Sequence, residues 1–381
     1  MHSSLRRSSC TLRSQPLPLA HAVIMALAAW SLPALADAPM PAKSAKKDEV
    51  TLEAVTVNAR RAPELAKDVP FSVSVVSGEE GEARRLLSLE DMLRQTPGVD
   101  VVVNMGMGNT SLRMRGVGAL QKVSGDDSSV VINVDGLPQS PSNASLNVLD
   151  AERVEVLKGP QGTLFGRNSE AGAVNIVTRK PTDWLEGYAR AELGQDHQHL
   201  LEGVISGPLT DTLSARLAVR QSGIDNVLTN VQNGKPLNKL RELAWRGTLR
   251  WQPSARTQLL LSAGDETIHN RDNVYTLRPY GDTAQISIPP GAMSDSRQVA
   301  RYTAELNHEF DAFTLTALSG FADTDHHYTD AIYEGRTYQQ LVGFQPDGSW
   351  SIRGKEKLYN QEIRLGSKPG DKVFWVAGVN L

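Results

Sequence analysis

Apolar and polar residues alternate strictly along most of the chain after residue 185. In the run LRELAWRGTLRW at residues 240–251, for example, Leu243, Trp245 and Leu249 share one face, and mostly charged side chains take the other. About nine such runs follow one another, and a period of two predicts β-strands with two unlike faces. Two architectures produce this pattern: a soluble sandwich with one wet face, or a transmembrane barrel with a polar lumen.

The connections between these runs favour the barrel. Short connections at 207–212 and 252–257 alternate with long polar stretches at about 270–298 and 325–355, which is typical of outer-membrane barrels. Aromatic residues stand where strands are predicted to end: Trp184, Trp251, Tyr328 and Trp375. We therefore predict antiparallel transmembrane β-barrel strands for this part of the chain.

The preceding third of the chain predicts a small α+β domain. A helix is expected near Ser88, which is placed to cap it with Asp91 three residues later, and Pro97-Gly98 ends it. Short apolar runs predict strands at 71–76, 99–103, 110–115, 130–134, 153–157 and 173–178.

The first 36 residues have the features of a secretory signal peptide. Basic residues precede an apolar stretch at Ala22–Trp30, and Ala34-Leu35-Ala36 fits a cleavage site. The apolar stretch is shorter than the roughly 20 residues that a helix needs to span a bilayer. The only cysteine, Cys10, lies within this segment. We therefore expect an exported protein without disulfides, which can enter a membrane only as a barrel.

Composition and motifs argue against nucleic-acid binding and catalysis. The net charge of −3 gives no basic footprint for nucleic acid. Gly162 and Gly166 are followed by Arg167-Asn168, where a phosphate-binding loop would have Lys-Ser or Lys-Thr. The pairs His197/His199 and His326/His327 lack a third metal ligand in sequence. We expect neither an enzyme nor a metal site or cofactor.

A β-prone strip, TLEAVTVNARR at residues 51–61, follows a Pro-, Ala- and Lys-rich leader at 37–50. Two interpretations remain open for it. It is either an ordinary first strand or an extended peptide that adds itself to the sheet edge of a partner.

Five strings, in order, resemble the N-terminal part of a TonB-dependent outer-membrane receptor of the siderophore-receptor type. TLEAVTVNA looks like the TonB box, and four further strings look like plug-domain motifs: SLEDMLRQTPGVDV, SLRMRGVG, VVINVDGLPQ and ERVEVLKGPQGTLFGRNSEAGAVNIVTRKP. The resemblance covers residues 51–181 and implies an α+β plug domain followed by barrel strands. The expected domains are a signal peptide at 1–36, a leader with the TonB box at 37–62, the plug at 63–182 and the N-terminal part of the barrel at 183–381.

The resemblance implies energised import of a scarce nutrient across the outer membrane of a Gram-negative bacterium. The implied partners are TonB with ExbB and ExbD, outer-membrane lipid, and most often a ferric siderophore. Cobalamin, haem and carbohydrate remain alternative substrates, and a passive porin-like barrel is an alternative function. The residues expected to bind TonB by β-augmentation are Glu53, Ala54, Val55, Thr56 and Val57.

The resemblance also suggests contact residues within the plug. Arg115 and Lys158 match positions that face acidic groups on the barrel wall, or they join a salt-bridge network inside the plug with Arg113, Glu152 and Arg153. Substrate is expected at the outward loops 117–127 and 137–147. The candidate contacts there are Gln121, Lys122, Gln139 and Asn143.

The chain departs from the family in its number of strands. Barrels that enclose a plug have about 22 strands, against about nine predicted here, and the chain does not end on an aromatic residue. An open sheet edge cannot face lipid. The sequence therefore predicts either a fragment of a longer chain or a truncated, non-functional remnant of such a receptor.

Overall fold

The structure is a computed structural model. It describes residues 55–58, 60–62, 64–104, 109–118, 129–139, 147–166, 168–225, 229–230, 234, 239–270, 285–286, 294–331, 343, 349–368 and 370–381. Two short antiparallel strands come first, β1 (Thr56–Val57) and β2 (Glu64–Leu65), followed by a 3-10 turn at Ala66–Asp68. Residues 55–65 are called the N-terminal segment below.

A five-stranded sheet, the plug sheet, organises the α+β region. Its strands are β3 (Ser72–Ser77), β6 (Val130–Val134), β7 (Leu137–Gln139), β8 (Ala151–Lys158) and β9 (Gly172–Thr178), in the spatial order β3-β8-β9-β6-β7. The β6–β9 pair is parallel and the other pairs are antiparallel. A separate hairpin pairs β4 (Val99–Asn104) with β5 (Asn109–Met114). The strand predictions for this region are confirmed to within two residues at each end.

Three short helices accompany the plug sheet: α1 (Gly78–Ala83), α2 (Leu89–Arg94) and α3 (Gly162–Phe165). Ser88 and Asp91 form the predicted capping box at the start of α2. Because Leu89, Met92 and Leu93 lie on one side of α2, the helix buries them against the sheet residues Val154 and Val174. The second face of the sheet packs Leu157 and Ala173 with Val57 and Phe165.

Gly172 is required at the start of β9. Its φ is +155°, and a Cβ at this position would lie 2.3 Å from the carbonyl oxygen of Leu157 and 2.4 Å from the sulfur of Met114. Only glycine accommodates both the dihedral angle and the close approach. This glycine therefore allows β8 and β9 to pair tightly.

Nine antiparallel strands form a second sheet, the wall sheet, in the spatial order in which they occur. They are β10 (Glu186–Leu193), β11 (His199–Pro208), β12 (Leu213–Asp225), β14 (Lys239–Ser254), β15 (Thr257–Asn270), β17 (Ser294–Glu309), β18 (Thr314–Ala331), β19 (Ser349–Gly366) and β20 (Val376–Asn380). Two further short strands, β13 (Thr229–Asn230) and β16 (Gln285–Ile286), pair in parallel. Within the described residues, the nine strands of the wall sheet agree with the nine alternating runs of the sequence, and β13 and β16 are additional.

The two faces of the wall sheet differ as the alternation predicts. Apolar side chains are exposed on the outward face, where Phe321 packs against Tyr302 and Tyr359 with ring centroids 6.2 and 4.8 Å away. Charged and hydroxyl side chains such as Arg216 and Thr248 are buried on the inward face. Among the residues described, no helix is long and apolar enough to cross a bilayer.

One of the four aromatic residues expected at strand ends faces inward. Tyr328 lies three residues before the end of β18 and is only 1% exposed. Its place in the alternation, six residues after the buried Ala322, puts it on the inward face of the strand.

Candidate functional site

The predicted TonB-binding strip is docked in a hairpin. Glu53 and Ala54 lie outside the described residues. Thr56 pairs with Leu65, and Val57 pairs with Glu64. Val57 is completely buried in the apolar cluster on the second face of the plug sheet. Thr56 and Val57 therefore form a short first strand in this structure, and the use of this stretch as a peptide for a partner remains a prediction.

A buried carboxylate holds the end of this strip. The backbone N–H of Asn58 donates to Oε1 of Glu155 over 2.9 Å. Glu155 is fully buried, and it also accepts hydrogen bonds from Arg153 Nε at 2.8 Å and from Asn175 Nδ2 at 3.1 Å. Since an unpaired buried carboxylate is costly, these three donors stabilise the docked segment.

Arg61 of the N-terminal segment contacts both the plug and the wall sheet. Its guanidinium carbon lies 4.4 Å from the ring centroid of Phe165, and Nε donates to the Leu164 carbonyl over 3.2 Å. Its Nη1 lies 3.7 Å from Oε2 of Glu362 on β19. Burial lowers the pKa of Arg61, and the charge of Glu362 partly offsets this effect.

The strongest contacts between the plug and the wall sheet are made by the four residues Asn147–Asp150, called the anchor segment below. Asp150 accepts two hydrogen bonds from Arg216, at 2.6 Å from Nε and 2.7 Å from Nη2. The side chains of Arg216 and Asp150 are only 5% and 2% exposed. This fork geometry is the strong form of an ion pair, because both donors are aligned with both oxygens.

The rest of the anchor segment also forms hydrogen bonds and apolar contacts with the wall sheet. Asn147 accepts from Arg220 over 2.7 Å, and its backbone N–H donates to Glu266 over 2.9 Å. The Leu149 carbonyl accepts from Arg246 over 3.1 Å. The Leu149 side chain packs in an apolar cluster with Val204, Ala218 and Ala244 of the wall.

Gln139, a predicted substrate contact, belongs to this interface as well. It is 5% exposed, its Oε1 accepts from Arg301 Nε over 2.8 Å, and its Nε2 donates to the Leu137 carbonyl over 2.9 Å. It therefore bridges plug and wall in this structure. The other three predicted contacts, Gln121, Lys122 and Asn143, lie outside the described residues.

Arg115 and Lys158 have no ion-pair partner among the residues that the structure covers. Arg115 is exposed, with its backbone N–H donating to the Gly98 carbonyl. Lys158 donates to Ser74 Oγ over 2.9 Å. Burial, with the charge of Arg115, lowers the pKa of Lys158. The predicted contact of these two residues with acidic wall groups stays a prediction.

The alternative network inside the plug forms without Arg115 and Lys158. Arg153 pairs with Glu152 and Glu155, and Arg113 lies 3.5 Å from Asp100. The sequence prediction thus missed the arginines that do bridge plug and wall. Arg61 and Arg85 pair with Glu362 and Glu192 of the wall. Four arginines of the wall bond to the plug: Arg216, Arg220, Arg246 and Arg301. The sequence did contain a signal for these four, because each occupies an inward position of a strictly alternating strand.

Three cavities follow one another along the interface between plug and wall. The upper cavity, of about 40 Å³, lies beside Asn147 and Arg301. The middle cavity, of about 250 Å³, shares Asp135, Ser262 and Thr303 with it. The lower cavity, of about 810 Å³, lies at the short-turn end of the wall strands. It shares Ala62, Asn307, Thr314 and Thr316 with the middle cavity.

The histidine pairs form no metal site in the part of the chain described. His326 contacts Asp295 over 2.9 Å, and His199 contacts the backbone carbonyl of His197 over 3.0 Å. No group of three or more His, Cys, Asp or Glu side chains is placed to hold a metal ion within that part.

Comparison with known proteins identifies the family to which the plug region is related. Residues 66–173 match the family model described as "TonB-dependent Receptor Plug Domain". This stretch is therefore a plug domain of the TonB-dependent receptor type. Relatives of the chain include the iron-regulated outer membrane virulence protein of Vibrio cholerae, which is 27% identical over 281 residues, or 68% of this chain and 40% of that protein. The predicted fold, an α+β plug followed by antiparallel barrel strands, is confirmed.

Curated relatives of the receptor are similar over part of their length. The pesticin receptor of Yersinia enterocolitica is 31% identical over 189 residues, which are 50% of this chain and 27% of that protein. The ferric enterobactin receptor PirA of Pseudomonas aeruginosa is 27% identical over 272 residues, which are 62% of this chain and 34% of that protein. The chain thus spans roughly a third of these relatives.

Solved structures share the fold. The ferric yersiniabactin uptake receptor FyuA from Yersinia pestis superimposes with a TM-score of 0.72 at 22% identity, over 83% of this chain and 48% of that receptor. The ferric-catecholate import receptor Fiu from E. coli, in its open form, gives a TM-score of 0.66 at 18% identity.

Proposed function

We propose that the receptor carrying this chain imports a ferric siderophore across the outer membrane with energy delivered through TonB. The relatives named for enterobactin, ferrioxamine and ferric yersiniabactin support this substrate class. The observation that carries the proposal is structural: a plug is seated on the inward face of barrel strands, and the N-terminal segment is docked between them.

The contacts between plug and wall suit a part that must move. They are mostly hydrogen bonds and ion pairs, with one small apolar cluster around Leu149. Such groups can exchange their protein partners for water when the plug shifts, whereas a large apolar interface would have to expose its area to water.

TonB engagement starts at Val55–Val57 in this proposal. The strip has a ladder of only two residue pairs to Glu64–Leu65, so few backbone hydrogen bonds must break before it adds to the sheet edge of TonB. ExbB and ExbD energise TonB, and outer-membrane lipid surrounds the exposed apolar face of the wall. Cobalamin, haem or carbohydrate would be bound at the same outward side of the plug.

Uptake of ⁵⁵Fe tests the proposal in cells that lack other siderophore receptors. Ferric yersiniabactin, ferrioxamine and ferric enterobactin serve as probes, with the receptor intact, with residues 51–59 deleted, and in a strain without TonB. We expect the intact receptor to take up at least one probe and both changes to abolish uptake. Uptake that survives both changes would indicate a passive porin-like barrel instead.

A further inference from the structure

Three cations lie in a row on the outward face of β19. Arg353, Lys355 and Lys357, called the basic row below, are exposed. They share their face of the strand with Tyr359 and Ile363, because side chains two residues apart point to the same side of a sheet. At about 3.3 Å per residue, the row extends over about 13 Å along the strand. The basic row is therefore longer than a single phosphate group.

The basic row continues the strand beyond the aromatic residues of the outward face. Tyr359, two residues after Lys357, packs against Phe321 with ring centroids 4.8 Å apart, and Phe321 stacks with Tyr302 at 6.2 Å. Aromatic residues on the lipid-facing surface of a barrel lie at the level of the headgroups. From Tyr359 the row runs toward the long connection between β18 and β19, and long connections lie at the outer end of such barrels. The row therefore lies at the level of outer-leaflet headgroups.

The acids beside the basic row do not neutralise it. Asp325 of β18 is shared by Arg353 and Lys355, at 3.1 Å from each. Asp323 lies 3.8 Å from Lys357. Three cations thus face two carboxylates. Because exposed ion pairs are weak, these cations can also bind a further anion.

The same sharing of one acid occurs at a second place near the long connections. Asp225, the last residue of β12, accepts a hydrogen bond from Arg241 of β14. The same carboxylate lies 3.5 Å from Lys239 Nζ. Two cations again face one acid, so the sharing is a repeated feature of this end of the wall sheet.

The short-turn end of the wall sheet is different, because two of its cations each have an acid of their own. Arg256 pairs with Asp311 over 2.7 Å. Lys368 pairs with Glu309 over 3.1 Å. The charges of these pairs balance. They provide a comparison of the same residue types at the opposite side of the membrane.

Resting on the proposed place of the wall sheet in the outer membrane, we propose that the basic row binds an outer-leaflet lipid whose headgroup carries two phosphates. The planar guanidinium of Arg353 binds one phosphate, and Lys357, four residues along the strand, binds the other. Lys355 lies between them and attracts both. The acyl chains lie along the exposed apolar residues below the row, which include Tyr359 and Ile363. This site is on the outside of the barrel strands and is separate from the plug.

Native mass spectrometry of the full receptor in detergent tests the site. The probes are diphosphoryl lipid A, fully dephosphorylated lipid A, and phosphatidylglycerol, which carries one phosphate. Arg353→Gln with Lys355→Gln removes two cations of the row. The matched control, Arg256→Gln with Lys372→Gln, removes one exposed arginine and one exposed lysine near the short turns.

We expect the affinity for diphosphoryl lipid A to fall about tenfold in the first double variant and by less than about twofold in the control, because cations at an anionic lipid surface add to its attraction. We also expect the intact receptor to prefer diphosphoryl lipid A to both other lipids. Equal affinities of the two double variants, or equal binding of diphosphoryl lipid A and either other lipid, would overturn the proposal.

A second double variant tests the sign of the effect. Asp323→Asn with Asp325→Asn removes the two acids that compete with the lipid for the basic row, so we expect tighter binding of diphosphoryl lipid A. Weaker binding by this variant, with its circular dichroism unchanged, would show that the ion pairs only support the strands and would overturn the site. The titration needs neither siderophore nor TonB. If lipid A binds as expected and no siderophore is taken up, only the import function fails.

Discussion

The plug contacts the wall sheet through two regions of opposite character. At the anchor segment, buried arginines of the wall grip plug residues directly, as in the Arg216–Asp150 fork. Along the middle cavity, wall hydroxyls such as Thr248 and Ser262 bond to each other. Both regions are polar, yet the bidentate Arg216–Asp150 pair belongs to the first, whereas the Arg61–Glu362 pair beside the second is longer, at 3.7 Å. A polar interface can therefore hold the plug firmly at the anchor segment and still allow the plug to separate from the wall along the middle cavity.

Ion pairs cross the interface between plug and wall in both directions. Arg216 of the wall pairs with Asp150 of the plug, whereas Arg61 and Arg85 pair with Glu362 and Glu192 of the wall. The contact of Arg115 and Lys158 with acidic wall groups stays a prediction. A buried pair loses most when only one partner is removed, because the other charge is left without compensation. The two regions should therefore respond very differently to substitution.

The largest expected effect is that of Asp150→Ala. Arg216 would keep only its contact with the partly exposed Glu186, and we expect the free energy of plug unfolding to fall by about 3 kcal/mol. Denaturant titration of protease resistance in the purified receptor measures it. Asp183→Ala is the control, because Asp183 pairs with Arg250 while 78% exposed, and its loss should cost less than about 1 kcal/mol. Equal losses would contradict the distinction between buried and surface pairs.

Leu149→Ala should have the next largest effect. The side chain is 4% exposed and packs on Ala218 and Ala244, so truncation should cost about 2–3 kcal/mol through lost burial and a cavity. The same titration checks it. Leu209→Ala, at a leucine that is 61% exposed, should change the unfolding free energy by less than about 0.5 kcal/mol. A comparable loss at Leu209 would argue against the anchor.

The alternation of apolar and polar residues predicted much of this interface. The pairs formed by residues far apart in the sequence could not be predicted. The alternation predicted nine wall strands and which positions face inward, and Ser88 with Asp91 predicted the cap of α2. The pairing of Asp150 with Arg216 joins residues 66 positions apart. Nothing local marks such a pair, because the register between plug and wall exists only in the folded chain.

Gln139 is a second residue whose contact could not be predicted, because its partner is far away in the sequence. Its place beside a loop suggested solvent and substrate, whereas Arg301, 162 residues later, turns it into a buried bridge. The docked state of Val57 was likewise one of two interpretations of a short alternating strip. The sequence alone could not decide between them, because the decision depends on the apolar cluster with Leu157 and Phe165.

Substitution at the hydroxyl-lined region should have a small effect. Thr316→Val keeps the shape of the side chain and removes its hydrogen bond to Asn307. Water in the adjoining cavity can replace the lost partner, so we expect a cost below about 1 kcal/mol in the same titration. A loss as large as that of Asp150→Ala would show that this region also fixes the plug to the wall.

The smallest expected effect concerns pH and Lys158. Burial lowers the pKa of Lys158 below 10.5, so at pH values between the folded and unfolded pKa the unfolded chain binds more protons. Plug stability should therefore rise as the pH increases through this window, and the contribution is unfavourable below it. Lys158→Met should remove the rise, as followed by thermal unfolding of the receptor from pH 7 to 10.5. The exposed Lys67, changed to Met, should leave the rise intact. A rise that persists without Lys158 would contradict this assignment.

Hydrogen exchange of backbone amides tests the comparison most directly. Mass spectrometry of the receptor in outer-membrane vesicles resolves peptides that cover residues 147–158 and 55–65. We predict slow exchange for the anchor segment and for β8, and much faster exchange for Thr56 and Val57, whose ladder has only two residue pairs. Equal protection of the two peptides, or faster exchange at the anchor, would contradict the view that the plug is held by the arginines of the wall and opens at the N-terminal segment.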